Sequence, residues 1–525
     1  MNTKKMNISQ IITKYNVEPL VAELLLERGY DTKQKISDFC FPKFGNLNDP
    51  VLVPHLSKVI NKILTHIKND NKIYVFGDYD VDGVTSTVIM YEALKEMEAN
   101  VEGKISSRFK GGYSFSIQEI NEMDDADLII SVDCGISSHD EIAYAKDKGI
   151  DIIVIDHHEQ PDPPDVDYIN LKVKSGLYPF EKLSAAGTTW KVCQHLLEKD
   201  YMEMLDLVAL STIADMVPLI NENRTIVKWG LLDIIKTNKI GLKKLIELND
   251  LVDISAGDVS YKLAPCINAQ GRLGENQISF KLLTTKNENE ACALAKKLTI
   301  VNEKRKQIEN HALEQAKKQI GEDDNFIIIK SDIPKGIVGN VASDIKDEYK
   351  KPVIVFGGTD DLYKGSGRGV SPVHLYELIS KCDDLLETYG GHEKAIGCSI
   401  KEKNIPKLRK ELNELTEGIE YKKYWYDKRI LTSEINKSLI QDLEIFEPCG
   451  VGNPKPRFKI SGTPYQIRTS KNGKHLMFKI DEIKCIAFNK GNMKDDLGQD
   501  FVSCLEINKY RGRERIQFNV KNILN

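Results

Sequence analysis

The chain reads as a multidomain α/β protein: a parallel-sheet domain and a smaller α/β domain joined by a long helix, with an all-β module at the C-terminal end. Three observations predict it. Short apolar runs alternate with helical stretches through the first half, the signature of buried parallel strands covered by helices. A lysine- and glutamate-rich segment without Pro or Gly then separates this rhythm from a second, shorter one, and after about Tyr421 the helical spacing gives way to strands and tight turns.

Residues 1–50 mix helical periodicity with a turn-rich end, Phe41-Pro42-Lys43-Phe44-Gly45-Asn46, and form an N-terminal appendage. Residues 51–235 hold the first domain, with strands predicted at Lys72-Ile73-Tyr74-Val75-Phe76, Leu128-Ile129-Ile130-Ser131-Val132 and Asp151-Ile152-Ile153-Val154-Ile155. Residues 236–320 make a helical connector. Its last part, Glu288 to Ile320, keeps Leu294, Leu298, Val301 and Ile308 at helical spacing. Residues 321–420 repeat the α/β rhythm around Asn325–Ile329 and Pro352–Phe356. In residues 421–525, Lys474 to Ile480 follows an Asn472-Gly473 turn, and Phe501–Ile507 pairs with Arg515–Val520 across Arg511-Gly512-Arg513, which fits a small barrel or sandwich of the OB kind.

Bulk properties narrow the function. With 525 residues the chain exceeds one core, so a site can be built between domains. A hydrophobic fraction of 41% beside 29% charged residues excludes wholesale disorder. The net charge of −5 gives no global attraction to nucleic acid, so a polyanion must be held by a local basic groove or by cations. The ten cysteines stand singly, without a C-x-x-C pair, which supports neither a zinc ribbon nor a disulfide framework and points to a reducing compartment. No stretch approaches the roughly 18 apolar residues of a membrane span, and the expectation is a cytoplasmic protein with no membrane partner.

The chemistry sits where the first three strands end. They run into Gly77-Asp78-Tyr79-Asp80-Val81-Asp82-Gly83, Asp133-Cys134-Gly135 and Asp156-His157-His158. In an open parallel sheet ligands gather beyond the carboxyl ends of the strands, so these segments can converge. Aspartates at 78, 80 and 82 on one turn repel one another unless a cation neutralises them. Carboxylate oxygens with one or two imidazoles favour Mn²⁺ or Mg²⁺, and two such ions about 3.5–4 Å apart suit phosphoester hydrolysis. Alone, D-x-D-x-D-G fits a calcium loop equally well, but the glutamate of an EF-hand is missing and two further acidic strand ends accompany it. Arg108, Phe109, Lys110 and Tyr113 add a basic and aromatic cluster suited to phosphate contact and base stacking. So do Arg468, Lys471, Lys474, Arg511, Arg513 and Arg515 beside Tyr465, Phe478 and Tyr510.

These three segments and Leu210-Ser211-Thr212-Ile213-Ala214-Asp215, in order, resemble the four motifs of the DHH phosphoesterase superfamily. Asn268-Ala269-Gln270-Gly271-Arg272, Gly336-Ile337-Val338-Gly339, Gly365-Ser366-Gly367-Arg368, Gly390-Gly391-His392 and Glu447 to Pro454 resemble later signatures of its branch of single-stranded-DNA-specific exonucleases. Where that branch continues Gly-Tyr-Gly, this chain has Gly112-Tyr113-Ser114. The resemblance implies two divalent ions, Mn²⁺ or Mg²⁺, on Asp78, Asp80, Asp82, Asp133, His157 and Asp215, with Asp133 bridging. It implies that Asp156 orients His157 and that His158 faces the scissile phosphate. Arg272, Ser366 and Arg368 would contact the 5′ phosphate or the adjoining backbone, with Gly390, Gly391 and His392 approaching from the second domain, and Arg108 of the basic and aromatic cluster is a further substrate-binding candidate. Single-stranded DNA with a 5′ end is then the substrate, trimmed 5′ to 3′ to mononucleotides, with helicase or single-strand-binding protein partners and a monomeric chain. A phosphodiesterase of oligonucleotides or cyclic dinucleotides, or a non-catalytic DNA-binding scaffold of the same fold, are the alternatives.

Overall fold

The computed structural model describes residues 4–107, 116–159, 162–173, 178–273, 276–321, 323–358, 361–421, 424–510 and 513–524, except the side chains of residues 272, 273, 509, 510 and 513. Five strands, β1 (Ile73–Gly77), β2 (Val101–Ile105), β3 (Leu128–Val132), β4 (Asp151–Ile155) and β5 (Asp167–Ile169), form an all-parallel sheet in the order β2-β1-β3-β4-β5. Because side chains alternate along a strand, Val75, Ile130 and Ile153 enter one apolar cluster, while Tyr74, Phe76, Ile129 and Ile152 enter another on the opposite face. Both faces are buried, which is why these strands read as continuous apolar runs. The chain moves from β1 to β2 on one side and to β3 on the other, so the carboxyl ends of β1 and β3 flank a reversal of strand order.

Leu242, Leu245, Val259, Leu263, Leu282 and Leu298 of the connector share the core of this sheet. The long helix spans Glu288–Lys317, and its later Ala312 and Ala316 pack in the core of the second sheet. That sheet contains β6 (Ile327–Ser331), β7 (Val353–Gly357), β8 (Leu362–Arg368), β9 (Leu386–Gly391) and β10 (Ala395–Lys401) in the order β6-β7-β8-β10-β9. Only β6 and β7 are parallel. The third sheet holds β11 (Lys428–Arg429), β12 (Phe458–Ser461), β13 (Tyr465–Thr469), β14 (Leu476–Ile480), β15 (Ile483–Ala487), β16 (Asp500–Tyr510) and β17 (Arg513–Leu524) in the order β11-β12-β16-β17-β15-β14-β13.

The N-terminal helices Ile8–Tyr15, Pro19–Glu27 and Lys33–Cys40 pack into the core of this third sheet rather than standing apart. Arg224, 1% exposed on the helix Asn221–Ile235, ties the parts together. Its Nε donates to Phe39 O (2.6 Å), Nη1 to Phe446 O and Pro448 O (3.1 and 3.2 Å), and Nη2 to Ile445 O and Glu447 O (2.8 and 2.9 Å). The guanidinium also lies 3.8 Å from the centre of the Phe39 ring. Glu447 to Pro454 thereby docks on the parallel-sheet domain, where Leu219 N donates to Val451 O at 2.7 Å, four residues after Asp215.

Candidate metal centre

Each acidic segment follows its strand directly. Asp78 leaves β1 and accepts from Ser106 Oγ at 2.8 Å. Asp80 caps the helix Val81–Glu96, taking Asp82 N (2.9 Å) and Gly83 N (3.2 Å) on Oδ1 alone. Asp82 is anchored by the start of another helix, Ala185–Leu196: Ala185 N donates to Oδ2 and Ala186 N to Oδ1, both at 2.8 Å, and Ser211 Oγ adds 2.5 Å to Oδ1. Helix N-termini carry partial positive charge, so this carboxylate is held where its charge is favoured. Asp133 has φ +60, a left-handed conformation that aspartate tolerates better than most residues. Asp215 ends the helix Leu205–Ala214.

These residues meet at His157. Its Nε2 lies 3.3 Å from Asp133 Oδ1, 3.6 Å from Asp82 Oδ2 and 3.7 Å from Asp215 Oδ2. Asp78, Asp80 and Asp133 form a second group whose ligand atoms lie within 4.8 Å of one another, and Asp133 with His157 and His158 forms a third. Asp133 belongs to two of the three. Burial and then the charge of Asp80 push the Asp78 carboxyl well above the usual range; burial and then Asp82 push Asp215 as far, and raise Asp80. Asp133 is raised by burial and by all the others, Asp82 first.

Among the described residues, the buried Asp133 Oδ1 and His157 Nδ1 find no hydrogen-bond partner. A buried carboxylate oxygen without a donor is costly unless a cation meets it. Carboxylate oxygens with one imidazole are the donor set of Mn²⁺ or Mg²⁺, so the residues present fit those ions.

One expected contact is different. Asp156 makes no hydrogen bond to the His157 imidazole: its Oδ1 lies 2.8 Å from His158 Nδ1 and accepts the backbone N–H of His157 (2.7 Å) and His158 (3.1 Å), while Oδ2 accepts Ile136 N (3.1 Å). Packing turns the His157 ring toward Asp82, Asp133 and Asp215 instead. Burial opposes charge on both partners, but the pair outweighs it: Asp156 is held down at about 2 and His158 is pushed up to about 9. The pairing with Asp156 thus favours the protonated form of His158, whose side chain is 60% exposed beside the acidic cluster.

In the second sheet, Arg368 Nη1 donates to Ser366 Oγ and Gly367 O, both at 2.8 Å, and Nε to Ser343 Oγ at 3.2 Å. A Cβ on Gly339 would lie 3.0 Å from Arg368 Nη2 and 3.3 Å from Ser366 Oγ, so glycine lets the start of the helix Val338–Tyr349 approach this group. Gly390 and Gly391 end β9, and His392 is exposed on the turn to β10, its N–H bonded to Ala395 O at 2.8 Å. Arg108, Phe109, Lys110, Tyr113 and Arg511 lie outside the described residues, as do the side chains of Arg272, Tyr510 and Arg513. Phe478 is no exposed stacking platform: it alternates inward on β14 and packs 5.1 Å from Phe501.

Ser106 and Ser184 lie outside the motifs, and Ser211 enters only as part of one, yet Ser106 and Ser211 hold acidic side chains and Ser184 bonds Ser211 at 3.0 Å. Only Ser184 carried a local signal, a helix-capping serine before an apolar run.

Comparison with known proteins agrees with this architecture. Family models match in chain order: the DHH family N-terminal domain over residues 72–212, the DHHA1 domain over 323–418 and the RecJ OB domain over 426–522. The chain is 32% identical to the single-stranded-DNA-specific exonuclease RecJ of Bacillus subtilis (strain 168), covering 98% of this chain and 69% of that protein. It is 30% identical to the protein of the same name from Thermus thermophilus, over 85% and 67%. The crystal structure of RecJ in complex with Mn²⁺ from Thermus thermophilus superposes with a TM-score of 0.86 at 26% identity, covering 99% of this chain and 79% of that one.

Proposed function

The chain belongs to the RecJ exonuclease family, and from that premise we propose that it degrades single-stranded DNA from the 5′ end by metal-dependent hydrolysis, releasing 5′-mononucleotides in DNA repair and recombination. One observation carries the reading: carboxylates from the first turn of a helix (Asp82), a strand end (Asp133) and a helix end (Asp215) converge on the His157 imidazole, inside a group of buried acids that repel one another.

In this reading Asp78, Asp80, Asp82, Asp133, His157 and Asp215 hold two divalent cations, Mn²⁺ or Mg²⁺, with Asp133 shared. When bound, such ions supply Lewis-acid charge at phosphoryl oxygens and make a bound water nucleophilic at neutral pH. The protein's own groups do the rest. Asp82, fixed by two backbone N–H groups and Ser211, keeps one face of the centre rigid. His158, whose protonated form the Asp156 carboxylate favours, would face the charge that develops on the phosphate under attack. Arg368 and Ser366 receive the 5′ phosphate, joined by Arg272, with Arg108 on the adjoining backbone and Gly390, Gly391 and His392 closing from the second domain; a guanidinium fork beside a hydroxyl suits such recognition. The strand reaches the enzyme from a helicase or single-strand-binding protein, and the chain works as a cytoplasmic monomer. Free thiols at all ten cysteines support a reducing compartment, and among the described residues no helix is long and apolar enough to cross a membrane.

The test is digestion of 5′-labelled single- and double-stranded DNA with Mn²⁺, Mg²⁺ or chelator. Metal-dependent release of mononucleotides from single strands alone is expected. Full activity in Asp133→Ala would overturn the site.

A further inference from the structure

The first turn of a helix leaves backbone N–H groups without partners inside the helix. At the start of Val81–Glu96, Asp80 takes two of them, Asp82 N and Gly83 N, on Oδ1, while its backbone carbonyl accepts the first bond of the helix itself from Val84 N at 2.9 Å. A third, Val81 N–H, donates across 187 residues to Asn268 Oδ1 at 2.9 Å. Asn268 lies on the helix Ala264–Leu273 of the connector. A second contact holds that helix on the same loop. A Cβ on Gly271 would lie 2.4 Å from the Tyr79 ring, so only glycine permits this approach. The helix is in turn fixed by Ser279, whose N–H donates to Gln270 Oε1 (2.7 Å) and whose hydroxyl donates to Ile267 O (3.2 Å).

Val81 stands between Asp80 and Asp82. Anchoring its N–H fixes the peptide plane between Asp80 and Val81, and with it the backbone from which Asp80 projects, whereas a water molecule accepting that N–H would satisfy the helix without tying the loop to anything. We propose that Asn268 is a positioning residue of the metal centre, its side-chain oxygen holding the Asp78–Asp82 loop in the conformation that brings Asp78 and Asp80 to Asp133. The inference rests on the reading of this cluster as a divalent-cation site. It makes cation affinity depend on a residue of the connector that is itself no ligand, as outer hydrogen-bond partners do at metal sites, where their loss costs about 10–100-fold.

The experiment measures Mn²⁺ binding to the full chain without DNA, by electron paramagnetic resonance of free and bound ion, for the wild type and for Asn268→Leu, Asn268→Ala and Asn268→Asp. Leucine keeps the volume and removes the acceptor; aspartate keeps an acceptor oxygen at the same reach. The leucine and alanine variants should bind Mn²⁺ about tenfold or more weakly, with an altered bound-ion spectrum. The aspartate variant should bind at least as tightly as the wild type. In DNA digestion the loss should appear in kcat at fixed Mn²⁺ and recover toward saturating Mn²⁺, with KM for DNA unchanged. Wild-type affinity in the leucine and alanine variants overturns the proposal, and so does an aspartate variant as weak as leucine. Should leucine fail to fold, as judged by near-ultraviolet circular dichroism in chelator, alanine and aspartate decide. A wild type that binds Mn²⁺ but leaves DNA intact counts against the exonuclease reading alone; one that binds no Mn²⁺ sinks both.

Discussion

Arg224 and the aspartate cluster are both buried charge, and they are handled in opposite ways. Arg224 is surrounded by five carbonyl oxygens and an aromatic face, so its cost of burial is met inside the protein. Burial still lowers its pKa, to about 10, which leaves it a cation. Asp78, Asp80, Asp133 and Asp215 instead crowd one another, and Asp133 Oδ1 has no donor among the described residues. A buried charge that the protein completes holds elements together; one that it leaves incomplete is kept for a ligand.

The contrast can be broken most directly at Asp133. Asp133→Asn should lower exonuclease activity by more than about 100-fold, beyond the loss of an outer partner, while raising the melting temperature of the metal-free protein because a source of repulsion is gone. Steady-state digestion and thermal melts in chelator check both halves, and a variant that is inactive but less stable breaks the comparison.

Arg224→Met should do the reverse. It strands the Phe39 carbonyl and those of residues 445–448, costing about 3 kcal/mol in denaturant unfolding, with activity per folded molecule retained. An unchanged midpoint would mean that the carbonyls find other partners.

A pH series sharpens the comparison. Asp78 and Asp215 are both pushed up to about 8 from an ordinary 3.8. Carboxyls raised in the folded state contribute stability that is full below the ordinary value and lost as pH climbs through the folded one. The metal-free protein should therefore melt progressively lower between pH 5 and 8, and Asp133→Asn should show a shallower slope. Mn²⁺ affinity should climb over the same window, because fewer protons must be displaced.

The smallest effect is expected at Arg368, a guanidinium largely engaged already by Ser366, Ser343 and Gly367. Arg368→Ala should raise KM for 5′-phosphorylated strands about tenfold, the scale of one charge-assisted hydrogen bond, and change little for 5′-hydroxyl ends.

The amino-acid order alone determined the strands, since β1, β3 and β4 are apolar runs buried on both faces, and it placed an acidic segment after each of them. It also determined the long helix, through thirty residues with neither Pro nor Gly. Those features depend on neighbours a few positions away, and local spacing records them. The inward turn of Phe478 was equally open to reading, because alternation along Leu476–Ile480 puts it on the buried face. Tertiary structure alone decided which carboxylate meets which imidazole, that the N-terminal helices share a core with the last sheet, and that Asn268 and Arg224 reach the segments they hold. These pairings join residues far apart in the chain, and they exist only once packing has chosen which surfaces touch.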